Sequence, residues 1–143
     1  MSGDHVTPRL VQGTFDASSY MDEPPDLHIH CASETPPDFV GYSNHWLRID
    51  DVDTAWWLNR RWQRKVMDAA HDAARVLAQG GTVLTTCYMG WNRSGLISAL
   101  ALVELGVPAD EAIQAVRDAR GSRALSNDTF VWFIRAAGRE HSA

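Results

Sequence analysis

The clearest periodicity in the chain runs from about Trp57 to Gln79. Leu58, Trp62, Val66, Ala69, Ala73 and Leu77 recur at intervals of four, four, three, four and four. That spacing predicts a helix with one buried stripe. Arg60, Arg61, Arg64 and Lys65 fall off the stripe and suit either a solvated face, which the net acidity favours, or attraction of an anionic lipid or phosphorylated partner. Gly80-Gly81 ends the helix and opens a β-branched run from Thr82 to Thr86 that stops at Cys87. An apolar stretch after Arg93 reads as a second helix, halted by Gly106. Pro108 restarts the chain as a helix through Arg120, and Ser126 is the expected N-cap of a last helix ending near Gly138.

Upstream the pattern shortens to strand length. Arg9 to Phe15 is the expected opening strand, Leu27 to Cys31 the second, and Trp46 to Ile49 the third. The Asp22–Asp26 stretch and the proline-rich Glu34–Asp38 stretch separate them, and aspartates mark a loop from Asp50 to Thr54. Residues 1–8 are polar and expected to be loose, leaving residues 9–143 as a single domain. There is no internal repeat. Strands followed by several helices argue for an α/β domain.

Within that frame, residues 82–95 carry the candidate chemistry. Strand, tight loop and helix follow one another, with Cys87 at one end of the loop and Arg93, six residues on, at the other. Gly90 sits inside the turn and permits backbone angles that a Cβ resists. A loop entering a helix this way aims backbone N–H groups and the positive end of the helix dipole at one point. An anion there would meet a sulfur nucleophile and a guanidinium fork together. A helix N-terminus and a nearby cation favour the thiolate, which is the attacking form. Arg93 would grip two phosphate oxygens with its planar fork. The N–H groups from Tyr88 through Met89, Gly90, Trp91 and Asn92 to Arg93 would hold the remaining oxygens. Ser94 would hydrogen-bond the sulfur and ease its departure. The loop lies at the carboxyl end of a strand, where open α/β sheets bind ligands.

Cys87-Tyr88-Met89-Gly90-Trp91-Asn92-Arg93-Ser94 resembles the C-x-x-G-x-x-R-S signature of the dual-specificity branch of cysteine phosphatases. The segments Leu96–Val107, Ala109–Arg117 and Ala124–Phe130 are similar to the helical tail of that family. The resemblance implies a central mixed, mainly parallel sheet flanked by helices. It also implies hydrolysis of phosphomonoesters through a phosphocysteine, without metal or organic cofactor. One position departs: the family usually places a histidine before the cysteine, where it helps organise the loop and keep the thiolate acidic. Here Thr86 stands.

Such a reaction needs an acid to protonate the leaving oxygen and then a base to activate water. Asp50, Asp51 and Asp53 are the candidates. The family's apolar-x-apolar-x-Asp register favours Asp51, whereas its usual distance from the cysteine favours Asp53. Register carries more weight because loop length varies cheaply, so Asp51 leads and Asp53 is the reserve. Asn127 matches a family position near the cleft, and its simpler role is in the first turn of the last helix. Trp56 and Trp57 either wall the cleft or pack in the core; Trp62 and Trp132 read as core.

Cys31 is either an ordinary buried thiol or a partner that traps oxidised Cys87 as a disulfide, as in some phosphatases of this kind. His28 and His30 share a strand face, but no further ligand completes a metal set with recognisable spacing, so half-exposed strand histidines are expected. A net charge of −5 argues against a general nucleic-acid binder. No apolar run reaches the ~20 residues of a membrane span. Residues 1–5 show neither a charged n-region nor an apolar h-region, so no secretion signal is expected, and two cysteines suit a reducing cytoplasm. The expected partner is a phosphorylated substrate, either a phosphoprotein or a small phosphomonoester. Two other readings stay open: a phosphate-binding module without turnover, kept alive by Thr86, and a thiol redox or arsenate-reducing enzyme using Cys31 and Cys87.

Overall fold

The structure, a computed structural model, describes residues 3–32, 43–47 and 60–142. Among them, strands β1 (Gly3–Thr7), β2 (Leu10–Gly13), β3 (Leu27–His30), β4 (Ser43–Trp46) and β5 (Val83–Thr86) form one sheet in the order β1-β2-β5-β3-β4. β1 is antiparallel to β2, and the other neighbours pair in parallel. This is the expected mixed, mainly parallel sheet. β5 lies at its centre, with all four residues buried. Its Val-Leu-Thr-Thr composition suits a strand covered on both faces.

Two strand expectations are corrected. Residues 1–8 are not loose throughout, because Gly3–Thr7 pairs with β2 from Gly3 opposite Gly13 to Thr7 opposite Leu10. The segment is polar because it is an edge strand, and edge strands are held by pairing rather than by their own hydrophobicity. The third expected strand lies three residues earlier than its apolar residues suggested, at Ser43–Trp46. Pairing sets it there: Leu27 faces Ser43, and His30 faces Trp46.

Four helices follow among the described residues: α1 (Arg60–Ala78), α2 (Arg93–Glu104), α3 (Ala109–Arg120) and α4 (Asp128–Ser142). Val66, Ala69, Ala73 and Leu77 of the α1 stripe are buried as expected, and Leu58 lies outside the described residues. α2 packs against α1, α3 and α4 and is buried from Arg93 to Val103. A helix enclosed on all sides reads as a continuous apolar run. It ends at Gly106, whose φ of 98° lets Val107 N–H donate to the Leu102 carbonyl.

The last helix starts later than expected. Asn127, not Ser126, caps it, its Oδ1 accepting from Phe130 N–H at 3.2 Å. Ser126 instead shares hydrogen bonds with Asn92. Trp62 is half-buried against Phe130 and Phe133. Trp132 is not core: it is 52 % exposed, because Phe130, Val131 and Ile134 take the inward face of α4. No helix among the described residues is long and apolar enough to cross a membrane.

Candidate active site

β5 hands the chain to the loop at Cys87, and the loop enters α2 at Arg93. Cys87 is 2 % exposed and Arg93 7 %. The Cys87 Sγ lies 3.2 Å from Ser94 Oγ, so the first turn of α2 brings a hydroxyl onto the candidate nucleophile.

The carbonyls between them are all turned outward. Tyr88 O accepts from Phe15 N–H at 3.3 Å, and Trp91 O from Leu125 N–H at 3.1 Å. Met89 O accepts from the Arg120 guanidinium at 3.0 Å. Gly90 O accepts from Arg120 at 3.2 Å and from Gln12 Nε2 at 2.9 Å. Asn92 O accepts from Leu96 N–H as the helix begins. In a trans peptide the carbonyl of one residue and the N–H of the next point in opposite directions. Outward carbonyls from 88 to 92 therefore turn the N–H groups of residues 89–93 toward the loop interior. Consecutive inward amides at a helix N-terminus form a cradle for an anion.

Gly90 is required at the tightest point of this cradle. Its φ is 73°, and a Cβ there would sit 2.5 Å from the Gly13 backbone. Tyr88 is 46 % exposed and stacks on Phe15 with ring centroids 5.3 Å apart. Arg123 covers the Trp91 ring at 5.3 Å. Met89 is exposed. The Asn92 side chain accepts from Asn127 N–H at 3.0 Å, tying the loop to the start of α4. The bulky loop residues thus form a braced rim.

Arg120, Gln12 and Asp4 were not among the residues singled out from the sequence. The Arg120 side chain is nearly buried and also pairs with Asp4 of β1 at 2.6 Å. Nothing local marks it, since it is the last residue of an ordinary amphipathic helix. Gln12 carries a faint signal as an amide between Val11 and Gly13 inside a strand.

Cys31 extends the β3–β5 ladder by one residue, its N–H donating to the Thr86 carbonyl at 2.7 Å. It therefore sits beside Cys87, and both are free thiols in the same core cluster. Burial pushes the Cys31 thiol well up, the Cys87 sulfur adds to the rise, and Arg93 offsets part of it. His28 and His30 are buried rather than half-exposed, and His28 Nε2 and His30 Nδ1 converge on Thr86 Oγ1, at 2.6 and 2.7 Å. Burial, with His30 beside it, holds His28 down to about 3. Among the described residues no three histidine, cysteine or carboxylate groups gather where a metal could bind. Asp50, Asp51 and Asp53, with Trp56 and Trp57, lie outside the described residues. Arg60, Arg61, Arg64 and Lys65 are exposed.

No protein-family model and no curated protein sequence matches the chain. Solved structures do. Human DUSP28 matches with a TM-score of 0.83 at 18 % identity, covering 99 % of this chain and 95 % of its own. The human tyrosine phosphatase-like serine/threonine/tyrosine-interacting protein matches at 0.79 and 19 %, covering 99 % of both. OH1 from the Orf virus, a tyrosine phosphatase, matches at 0.72 and 15 %, covering 94 % of this chain and 84 % of its own. The fold is that of the dual-specificity phosphatases. The matches cover 94–99 % of this chain and so include the strands that precede the loop. In this phosphatase fold the cysteine loop occupies the centre of the sheet, where β5 meets α2.

Proposed function

We propose that the protein is a phosphomonoester hydrolase that works through a phosphocysteine at Cys87. The observation that carries this reading is the row of outward-tied carbonyls from Tyr88 to Asn92, ending beside a sulfur and a buried arginine. The Cys87 thiolate attacks phosphorus while the bond to the leaving oxygen breaks, and an aspartic acid donates its proton to that oxygen. Asp51 is the leading acid and Asp53 the reserve. Arg93 and the amides of residues 89–93 hold the three equatorial oxygens, whose charge rises in the transition state. Water then attacks phosphorus, its proton passes to the aspartate, and the sulfur–phosphorus bond breaks with the Ser94 hydroxyl receiving the departing thiolate. Inorganic phosphate leaves. The substrate is a phosphoprotein or a small phosphomonoester, and the chemistry requires no cofactor.

The test is hydrolysis of an aryl phosphate under reducing conditions. Cys87→Ser is expected to lose at least about 10⁴-fold in kcat, with inorganic phosphate still bound by calorimetry. Whichever of Asp51→Asn and Asp53→Asn loses about 10²-fold or more identifies the acid. Turnover that survives Cys87→Ser rejects the mechanism.

A second reading is a phosphate-binding module of the same fold without turnover. Thr86 in the position of the family histidine favours it, as does the likeness to a human protein named as phosphatase-like and interacting. Tight phosphate binding by a wild-type protein that hydrolyses no phosphomonoester would select it.

A further inference from the structure

The mechanism above leaves one buried polar cluster unused. His28, His30 and Thr86 are 1 %, 0 % and 0 % exposed, on a sheet face where Leu84 packs against Val11 and Ala17. Burying two imidazoles and a hydroxyl where aliphatic side chains would fit carries a desolvation cost, and only well-made hydrogen bonds offset it. Here the three groups meet at a single atom, Thr86 Oγ1. That oxygen carries one proton, so at least one of the two facing ring nitrogens must be the donor. The cluster thereby constrains the tautomers of β3 as well as the rotamer of Thr86.

Thr86 is the residue immediately before Cys87. Its carbonyl is already engaged by Cys31 N–H at 2.7 Å. Successive strand residues point to opposite faces, so the cluster does not touch the sulfur and cannot transfer a proton to it directly. It can only determine how β5 enters the loop. We propose that His28, His30 and Thr86 act as one positioning unit for the nucleophile loop: two imidazoles on β3 fix the Thr86 hydroxyl and so hold the Thr86–Cys87 peptide in the orientation the anion cradle needs. The inference rests on the reading of Cys87 as nucleophile, and it names residues that reading does not require.

The test compares Thr86→Val, which keeps the shape and deletes the hydroxyl, with Thr86→Ser, which restores it. Two readouts are taken well below each variant's melting temperature. One is kcat/KM for an aryl phosphate per folded molecule. The other needs no turnover: the concentration of inorganic phosphate that half-protects Cys87 from alkylation by iodoacetamide, with the modified peptide identified by mass. Thr86→Val is expected to lower kcat/KM about ten- to a hundredfold and to raise the half-protecting phosphate concentration about tenfold, as loss of alignment does. Thr86→Ser is expected to hold both within about threefold of wild type. Should Thr86→Val not fold, His30→Gln moves the polar atoms one bond outward and should raise the half-protecting concentration several-fold. A folded Thr86→Val with both quantities unchanged overturns the proposal, as does a Thr86→Ser no better than Thr86→Val, or an unaltered His30→Gln. A wild type that hydrolyses nothing defeats the phosphatase reading, while the protection series still decides this one.

Discussion

The two faces of β5 are equally buried and built from different chemistry. Toward the helices, Thr85 Oγ1 meets Ser98 Oγ at 2.7 Å and Cys87 Sγ meets Ser94 Oγ, so the partners are hydroxyls on α2. Away from them, Leu84 packs in a small apolar cluster and Thr86 is held by imidazoles on β3. The helix-side face delivers the sulfur to a helix N-terminus, where charge can be stabilised. The difference shows how a single central strand serves two environments: alternation sends the Cys87 sulfur toward α2 and the Thr86 hydroxyl toward the imidazoles of β3.

The largest expected effect breaks the helix-side arrangement at its loop. Gly90→Ala places a Cβ 2.5 Å from the Gly13 backbone at a φ of 73°. It should abolish phosphate protection of Cys87 and lower the melting temperature, because both overlap and left-handed strain must be relieved by moving the loop. Arg120→Ala should come next. It removes the guanidinium donor to Met89 O and one of the two donors to Gly90 O, and leaves Asp4 without its cation. Chemical denaturation should show a loss of about 2–4 kcal/mol, with kcat/KM reduced about tenfold or more. Arg120→Lys should recover stability better than activity, since an ammonium cannot span both carbonyls in one plane.

The opposite face should reveal itself in acid. His28 is neutral in the fold down to about 3, whereas an unfolded histidine takes up its proton near 6.5. Below about 6.5 the unfolded chain therefore binds the proton that the folded chain excludes, and stability falls with pH. The slope from this group approaches about 1.4 kcal/mol per pH unit and flattens near pH 3. Urea midpoints measured from pH 7 to pH 4 should fall less steeply in His28→Gln than in wild type. Equal slopes would show that this face does not govern acid stability.

The smallest effect concerns the thiol beside Cys87. Cys31→Ser should leave steady-state hydrolysis under reducing conditions within about twofold, because that sulfur is fully buried and protonated. After mild peroxide treatment, wild type should recover with dithiothreitol while Cys31→Ser stays inactive. Oxidised Cys87 would then have no neighbouring thiol to capture it before further oxidation. Equal recovery would make Cys31 a packing residue only.

The cysteine-to-arginine loop, the strand before it and the buried helix after it were legible in the sequence because each rests on contacts within a few residues. A glycine at a positive φ, a 3.6-residue stripe and a β-branched run all act locally. The stripe of α1 and the termination at Gly106 were legible for the same reason. β1 was missed, and Trp132 misassigned, because an edge strand and an outward aromatic are decided by what lies beside them. Ser126 lost the cap of α4 to Asn127 when Asn92 engaged its hydroxyl.

Tertiary structure alone chose the groups that hold the loop in shape. Arg120 and Asp4 are 116 positions apart, and the histidines of β3 reach Thr86 across more than fifty residues of chain. No pattern along the sequence marks such pairs. They exist because β3 lies beside β5 in one register, and a slip of a single residue would turn His28 and His30 to the helix side. Local residue types determined the loop between Cys87 and Arg93, and the long-range pairing of strands decided which side chains hold it.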